Sequence, residues 1–432
     1  MPQPKSLTLR QNFSWTFVGN IVYAASQWGI LVVLAKLGSP EMVGQFTLGL
    51  AVTAPIILFA NLQLRQIQTT DVDLKYQFGD YLGLRLICAG LSLLTICIIA
   101  LTAGYRWETS LVILVIGVAK VLESISDVFH GLFQYHERMD RIALSLMIKG
   151  PLSLLLLSIG VWLTGDVLGG TVGLAAIWAL VLVLYDIPNG LAVLKAATGS
   201  ETAVSSQQHW LQPRFNLSNL RSLVSLALPL GLVMMLISLN VNIPRYFIEH
   251  HLGDRELGIF SALSYLMVAG NIVVSALGQS ATPRLAQYYT AGKGQDFQNL
   301  VVKTVLIGAV LGGIFILMAA IAGQQILTLL YRPEYAERGY LFLLLMVAAG
   351  IGYVASFLGY AMTAAQYFRV QLPLFIVATG ISALACFWLI PSQGLVGAAI
   401  ASIVSAVVQA IFSLGVIIYA IRKLTKSPTL SD

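Results

Sequence analysis

The sequence predicts an all-α polytopic membrane protein of about twelve transmembrane helices, arranged as two six-helix bundles. Three observations predict it. Charged residues make up 10% of the 432 positions and apolar residues 57%, where a soluble domain carries about 25% charge. Runs of roughly 20 apolar residues recur near 13–37, 42–64, 82–103, 111–135, 142–164, 170–194, 223–248, 257–280, 301–322, 340–364, 371–390 and 395–421. Finally, Leu37-Gly38-Ser39-Pro40-Glu41 with Gly44-Gln45-Phe46 returns half a chain later as Leu252-Gly253-Asp254-Arg255-Glu256 with Gly258-Ile259-Phe260. A second echo pairs Gly170-Thr171-Val172-Gly173-Leu174-Ala175 with Gly394-Leu395-Val396-Gly397-Ala398-Ala399. Duplication of this kind is a ground plan of membrane transporters.

Segment 13–37 is too long for a signal-peptide core and no small-residue cleavage pattern follows it, so it is expected to be a retained helix. The longest polar interruption, 196–222, is expected to be a cytoplasmic linker between an amino-terminal bundle, 1–195, and a carboxy-terminal bundle, 223–432. Six helices per half return the chain to the side it started from, which predicts a pseudo-two-fold axis along the membrane normal. Lys and Arg gather on the side of the termini, with Arg65, Arg85, Arg138, Arg141 and Lys149 assigned to it, and this bias puts both termini in the cytoplasm. Pro55, Pro188, Pro229, Pro244 and Pro373 lie inside spans and mark kinks.

The formal charge of +6 is explained by topology alone, and the basic residues form no stripe with aromatic neighbours, so no nucleic-acid partner is expected. Cys88, Cys97 and Cys386 fall inside spans and read as small apolar residues, neither disulfide partners nor metal ligands. No Walker-type phosphate loop occurs, and no outer loop is long enough for a catalytic domain. These features argue against an enzyme and call for no cofactor.

Chemistry is concentrated in two spans. Lys120, Glu123, Asp127 and His130 lie within an arc of about 80° on one helix face. Such groups cost several kcal/mol in a membrane unless they pair or face a cavity, so that face should look inward. Lys120 and Glu123 are spaced to pair with each other; Asp127 and His130 are left over, and Glu123 and Asp127 become candidate proton sites. In segment 223–248 and just beyond it, Ser238, Asn242, Arg245 and Glu249 stack on another face. Arg245 either pairs with Glu249 near the outer surface or offers its planar fork to a phosphate, with Asn242 beside it. Asp186, just before Pro188, is a further embedded carboxylate and ion-coupling candidate. Asn20, Gln27, Asn61 and Asn271 suit interhelical hydrogen bonding. The tract Gly131-Leu132-Phe133-Gln134-Tyr135-His136-Glu137-Arg138-Met139-Asp140-Arg141 is either a topology anchor or a place where a lipid headgroup first docks.

The duplicated plan, the Leu-Gly-x-x-Glu-x-x-Gly-x-Phe element from Leu37, Pro229, Gly394-x-Val396-Gly397 and the Phe133–Met139 tract together resemble oligosaccharide flippases of the O-antigen and polysaccharide transporter type, over roughly 10–425. That family shares a superfamily with multidrug and toxic-compound extruders and peptidoglycan lipid flippases. The resemblance implies movement of an undecaprenyl-pyrophosphate-linked oligosaccharide from the cytoplasmic to the periplasmic leaflet of the bacterial inner membrane by alternating access, with ion-gradient coupling. It also implies contact with membrane lipid and with other polysaccharide-assembly proteins. Lys120 and Arg245 are the headgroup candidates it suggests. A cation-coupled drug extruder of the same superfamily is the nearest alternative, although segment 13–37 holds no carboxylate. A membrane enzyme of glycan assembly and a non-transporting scaffold are the others.

Overall fold

The computed structural model describes residues 8–71, 75–198 and 211–426, and among them every regular element is helical. Helices α1 (Leu9–Leu37), α2 (Pro40–Asn61), α3 (Leu64–Thr70), α4 (Phe78–Thr102), α5 (Trp107–Tyr135), α6 (Met139–Thr164), α7 (Val167–Val181) and α8 (Ile187–Thr198) are followed by α9 (Leu217–Tyr265), α10 (Met267–Thr290), α11 (Gly294–Leu330), α12 (Pro333–Ala336), α13 (Gly339–Ala364) and α14 (Phe368–Lys426). Residues 199–210 of the expected linker lie outside the described residues.

Among the described residues nine helical stretches are long and apolar enough to cross a membrane. Two of them, Leu217–Thr290 and Val370–Leu424, each provide two passages, because the helix breaks at Gly253 (φ 84°) and Gly394 (φ 60°). With α5, whose 29 residues also suffice, the twelve passages predicted from the sequence are present. A left-handed φ is open to glycine at little steric cost, which suits glycine to these two breaks, whereas Gly38, the repeat partner of Gly253, has φ −94°. The corresponding turn in the first half falls at Gly165 (φ 68°), whereas Gly170, paired with Gly394 in the sequence echo, lies inside α7.

The chain divides into two compact units, Met1–Ser238 and Leu239–Asp432. The start of α9 therefore belongs to the first unit, beyond the 196–222 boundary read from the sequence. Packing accounts for this: Leu220, Leu223 and Ala227 bury themselves with Leu62, Leu64, Tyr76 and Tyr81. The irregular stretch before α9 is fastened to the start of α4, where the Arg214 N–H donates to the Gly79 carbonyl at 2.8 Å. A Cβ on Gly83 would collide with the Arg214 carbonyl oxygen. Gly83→Ala is accordingly expected to cost about 1–3 kcal/mol by overpacking and to lower the thermal unfolding midpoint in detergent; an unchanged midpoint would show that this contact gives way freely.

Within the first unit α5 is central, packing against α2, α3, α4, α6, α7 and α8, while α1 packs on α6. Apolar side chains such as Leu91, Ile98 and Trp162 are exposed on the outside, as lipid-facing surfaces require. The second unit is built on α13, which packs against α10, α11 and α14.

Candidate functional site

Because α5 is surrounded by other helices, its polar face has no lipid to avoid and instead borders a cavity of about 530 Å³ inside the first unit. Lys120, Glu123, Asp127 and His130 all line it, together with Arg65 from α3 and Lys149 from α6. Asn20 and Tyr23 contribute from α1, and Asn61, Gln63 and Gln66 from the junction of α2 and α3.

The charges are arranged as linked pairs. Lys120 Nζ donates to Glu123 Oε2 at 2.9 Å, and the Tyr23 hydroxyl donates to Glu123 Oε1 at 2.7 Å. Asp127 is not left over: Arg65 and Arg85 each approach one of its oxygens at 3.4 Å. Arg85 is wholly buried and also donates to Asn61 Oδ1 and, at 3.1 Å, to Ser124 Oγ. Asn61 thus serves as interhelical glue, accepting as well from Ser124 at 2.6 Å. His130 Nε2 lies 3.7 Å from Asp186 Oδ1, and Lys149 Nζ lies 3.8 Å from Asp186 Oδ2. Asp186 closes a π turn, Leu182–Asp186, directly ahead of Pro188. Proline at that position cannot donate a helical hydrogen bond, and the widened turn is the local accommodation. The ammonium groups of Lys120 and Lys149 approach the same Trp178 ring, at 4.8 and 6.0 Å from its centroid.

Sequence reasoning missed three of these cations. Arg65, Arg85 and Lys149 were counted only within the basic-residue bias that sets topology; in the structure Arg85 and Lys149 are buried in the body of the unit and Arg65 reaches into the cavity. One signal was available: the Gln77–Asp80 capping box fixes the start of α4, placing Arg85 two turns inside the helix.

The interruption between α2 and α3 is unusual. Leu62 and Gln63 are consecutive non-glycine residues with φ near 50°, a conformation that costs of order 1–3 kcal/mol per residue and persists where surrounding structure imposes it. Burial of Leu62 and Leu64 on either side of Gln63 supplies that constraint.

In the second unit Arg245 is half-buried on α9 and donates through Nη1 to Asn242 Oδ1. The pairing with Glu249 considered from spacing does not form; the amide one turn earlier takes its place. The Gly131–Arg141 tract ends in internal pairing as well. Arg138 makes a two-pronged contact with Asp140, at 2.9 and 2.8 Å, and Arg141 donates to Asn189. Burial pushes the His136 imidazole below its ordinary pKa, so it adds little charge at neutral pH.

The class this geometry defines is an all-helical polytopic membrane protein with a charged cavity in its first unit, and solved structures share the fold. An inward-facing multidrug resistance MATE transporter of the MOP superfamily superposes with a TM-score of 0.72 at 13% identity, covering 96% of this chain and 100% of that one. The lipid II flippase MurJ in its inward closed conformation superposes with a TM-score of 0.69 at 10% identity, covering 95% and 89%. The family model described as "Polysaccharide biosynthesis protein" matches residues 9–289, and MatE matches 229–389. The chain belongs to the polysaccharide biosynthesis protein family. A curated relative, the capsular polysaccharide biosynthesis protein CapF of Staphylococcus aureus, is 28% identical over 414 residues, covering 93% of this chain and 97% of its own.

Proposed function

We propose that this membrane transporter of polysaccharide biosynthesis is a flippase for an undecaprenyl-pyrophosphate-linked oligosaccharide. It carries the headgroup from the cytoplasmic to the periplasmic leaflet of a bacterial inner membrane by alternating access, with both termini cytoplasmic. The observation that carries the proposal is the cationic excess at the cavity: Arg65, Lys120 and Lys149 line it with Arg85 behind them, against Glu123, Asp127 and the Asp186 that faces Lys149. A pyrophosphate stripped of water needs fixed cations in place of its hydration, and the polyprenyl tail can remain in lipid. A drug extruder for organic cations would be served by the opposite excess. The CapF relative and the MurJ-like fold support the same direction.

In this reading Lys120 is the headgroup contact of the first unit, and Arg245 with Asn242 that of the second. Glu123, Asp127 and Asp186 are the ion-coupling candidates, each held next to a cation whose departure would favour protonation of the carboxylate. The test is flipping of lipid-linked oligosaccharide by purified protein in liposomes, with inorganic pyrophosphate as competitor. Lys120→Gln is expected to weaken that competition about tenfold, the loss of one charge-assisted contact. Wild-type protein that flips no lipid pyrophosphate, with or without an imposed proton or sodium gradient, would overturn the proposal.

A further inference from the structure

The cations of the cavity account for a pyrophosphate, but they do not account for the uncharged part of its lining. The junction of α2 and α3 presents Gln63 and Gln66 to the cavity, and neither side-chain amide makes a hydrogen bond to the protein among the described residues. Nearby amides are committed: Asn61 to Arg85 and Ser124, and the Gln134 oxygen to Arg65 Nε at 2.9 Å. A polar side chain in a membrane-spanning element that has no partner within the protein needs one from a water-filled cavity or from a ligand. Gln63 is moreover displayed by the left-handed interruption of the second span, a conformation that a continuous helix of the same residues would avoid.

We infer that Gln63 and Gln66 bind hydroxyl groups of the sugar adjoining the pyrophosphate and set which saccharide the cavity accepts. This rests on the flippase function proposed above and adds a saccharide subsite to it. The chemistry suits the ligand class. A pyranose carries neighbouring hydroxyls, each both donor and acceptor, and a carboxamide offers two donors and an acceptor in one plane. Charge selection and sugar selection are then divided between side chains of the same short element: Arg65, between the two glutamines, is tied to Asp127, while the amides flanking it remain available. The cavity volume of about 530 Å³ lies within the range of small-molecule sites. Polar sites built to pair a hydroxyl discriminate strongly against ligands that lack it, because their own groups are then left unpaired.

The experiment measures binding to the purified full chain of two probes: undecaprenyl pyrophosphate bearing one hexose, and undecaprenyl pyrophosphate without sugar. Wild type is expected to prefer the sugar-bearing lipid, and Gln63→Leu/Gln66→Leu to reduce that preference by at least about tenfold, as loss of two neutral hydrogen bonds would. Reading the ratio within one protein sample removes any dependence on how much of the variant is folded. A second arm uses wild type alone, where deoxygenation of single hexose hydroxyls should weaken binding at one position or more. A wild-type preference that survives the double substitution, or a wild type indifferent to sugar, overturns the saccharide subsite. Wild type that binds neither lipid defeats the flippase function itself, so the two failures are distinct.

Discussion

Asp186→Ala is expected to destabilise the protein by about 3–5 kcal/mol, lowering the unfolding midpoint in detergent by on the order of 10 °C. The reason lies in what the substitution leaves behind. Asp186 has no solvent exposure, and it faces Lys149, whose side chain is 1% exposed, and His130, at 7%. Without the carboxylate the lysine becomes a buried charge whose remaining oxygen contact is Ser126, at 3.2 Å. The Trp178 ring at 6.0 Å cannot replace an anion. Breaking a buried pair is costly, yet replacing both partners with apolar groups of similar volume is often neutral or better. Lys149→Met/Asp186→Leu should therefore recover most of the lost stability. The same pair of variants separates architecture from coupling. If Asp186 also exchanges the coupling ion, the stable double variant will flip substrate without response to an imposed gradient. A single Asp186→Ala variant as stable as wild type would show that Lys149 does not depend on this carboxylate.

The polar face of α5 was legible in the sequence because helical geometry alone places Lys120, Glu123, Asp127 and His130 together, and the cost of charge in lipid points that face inward. The breaks at Gly253 and Gly394 were legible only as gaps between apolar runs, because the repeat did not mark their left-handed φ: Gly38, the counterpart of Gly253, has φ −94°, and Gly170, the counterpart of Gly394, is helical. The partners of the α5 face were not legible. Arg65 and Arg85 meet Asp127 across separations of 62 and 42 residues, and no local pattern encodes such a meeting. The rule that sorts basic residues by side of the membrane took in Arg85 and Lys149 only as charges to be counted, because it cannot see burial. The distinction lies in helix register: both residues sit more than one turn beyond the start of their helices. Arg245 shows the opposite limit. Its i,i+4 spacing to Glu249 permits a pair, but spacing alone cannot decide between that carboxylate and the Asn242 amide three residues earlier.

That choice of partner shapes the expectation for Arg245. Arg245→Ala should reduce flipping of lipid-linked oligosaccharide in liposomes by about a hundredfold, the scale for losing a desolvated, hydrogen-bonded charge. With one guanidinium nitrogen held by Asn242 and its Nε without a partner in the protein, the fork is oriented and part of it is free to meet an anion. Arg245→Lys should recover only a fraction, because an ammonium carries the charge but cannot make two parallel hydrogen bonds to a phosphate. Asn242→Leu should cost less than Arg245→Ala, since the charge remains and only its orientation is loosened. If instead the arginine merely offsets Glu249 electrostatically, removing both charges should be harmless, and Arg245→Ala/Glu249→Gln should flip at the wild-type rate. The geometry favours loss in that double variant, because the guanidinium forms no ion pair with Glu249 whose removal could be compensated. Equal amounts of reconstituted protein, compared by initial flipping rate, distinguish the two, and wild-type flipping by the double variant would make Arg245 a packing device and remove it from the substrate path.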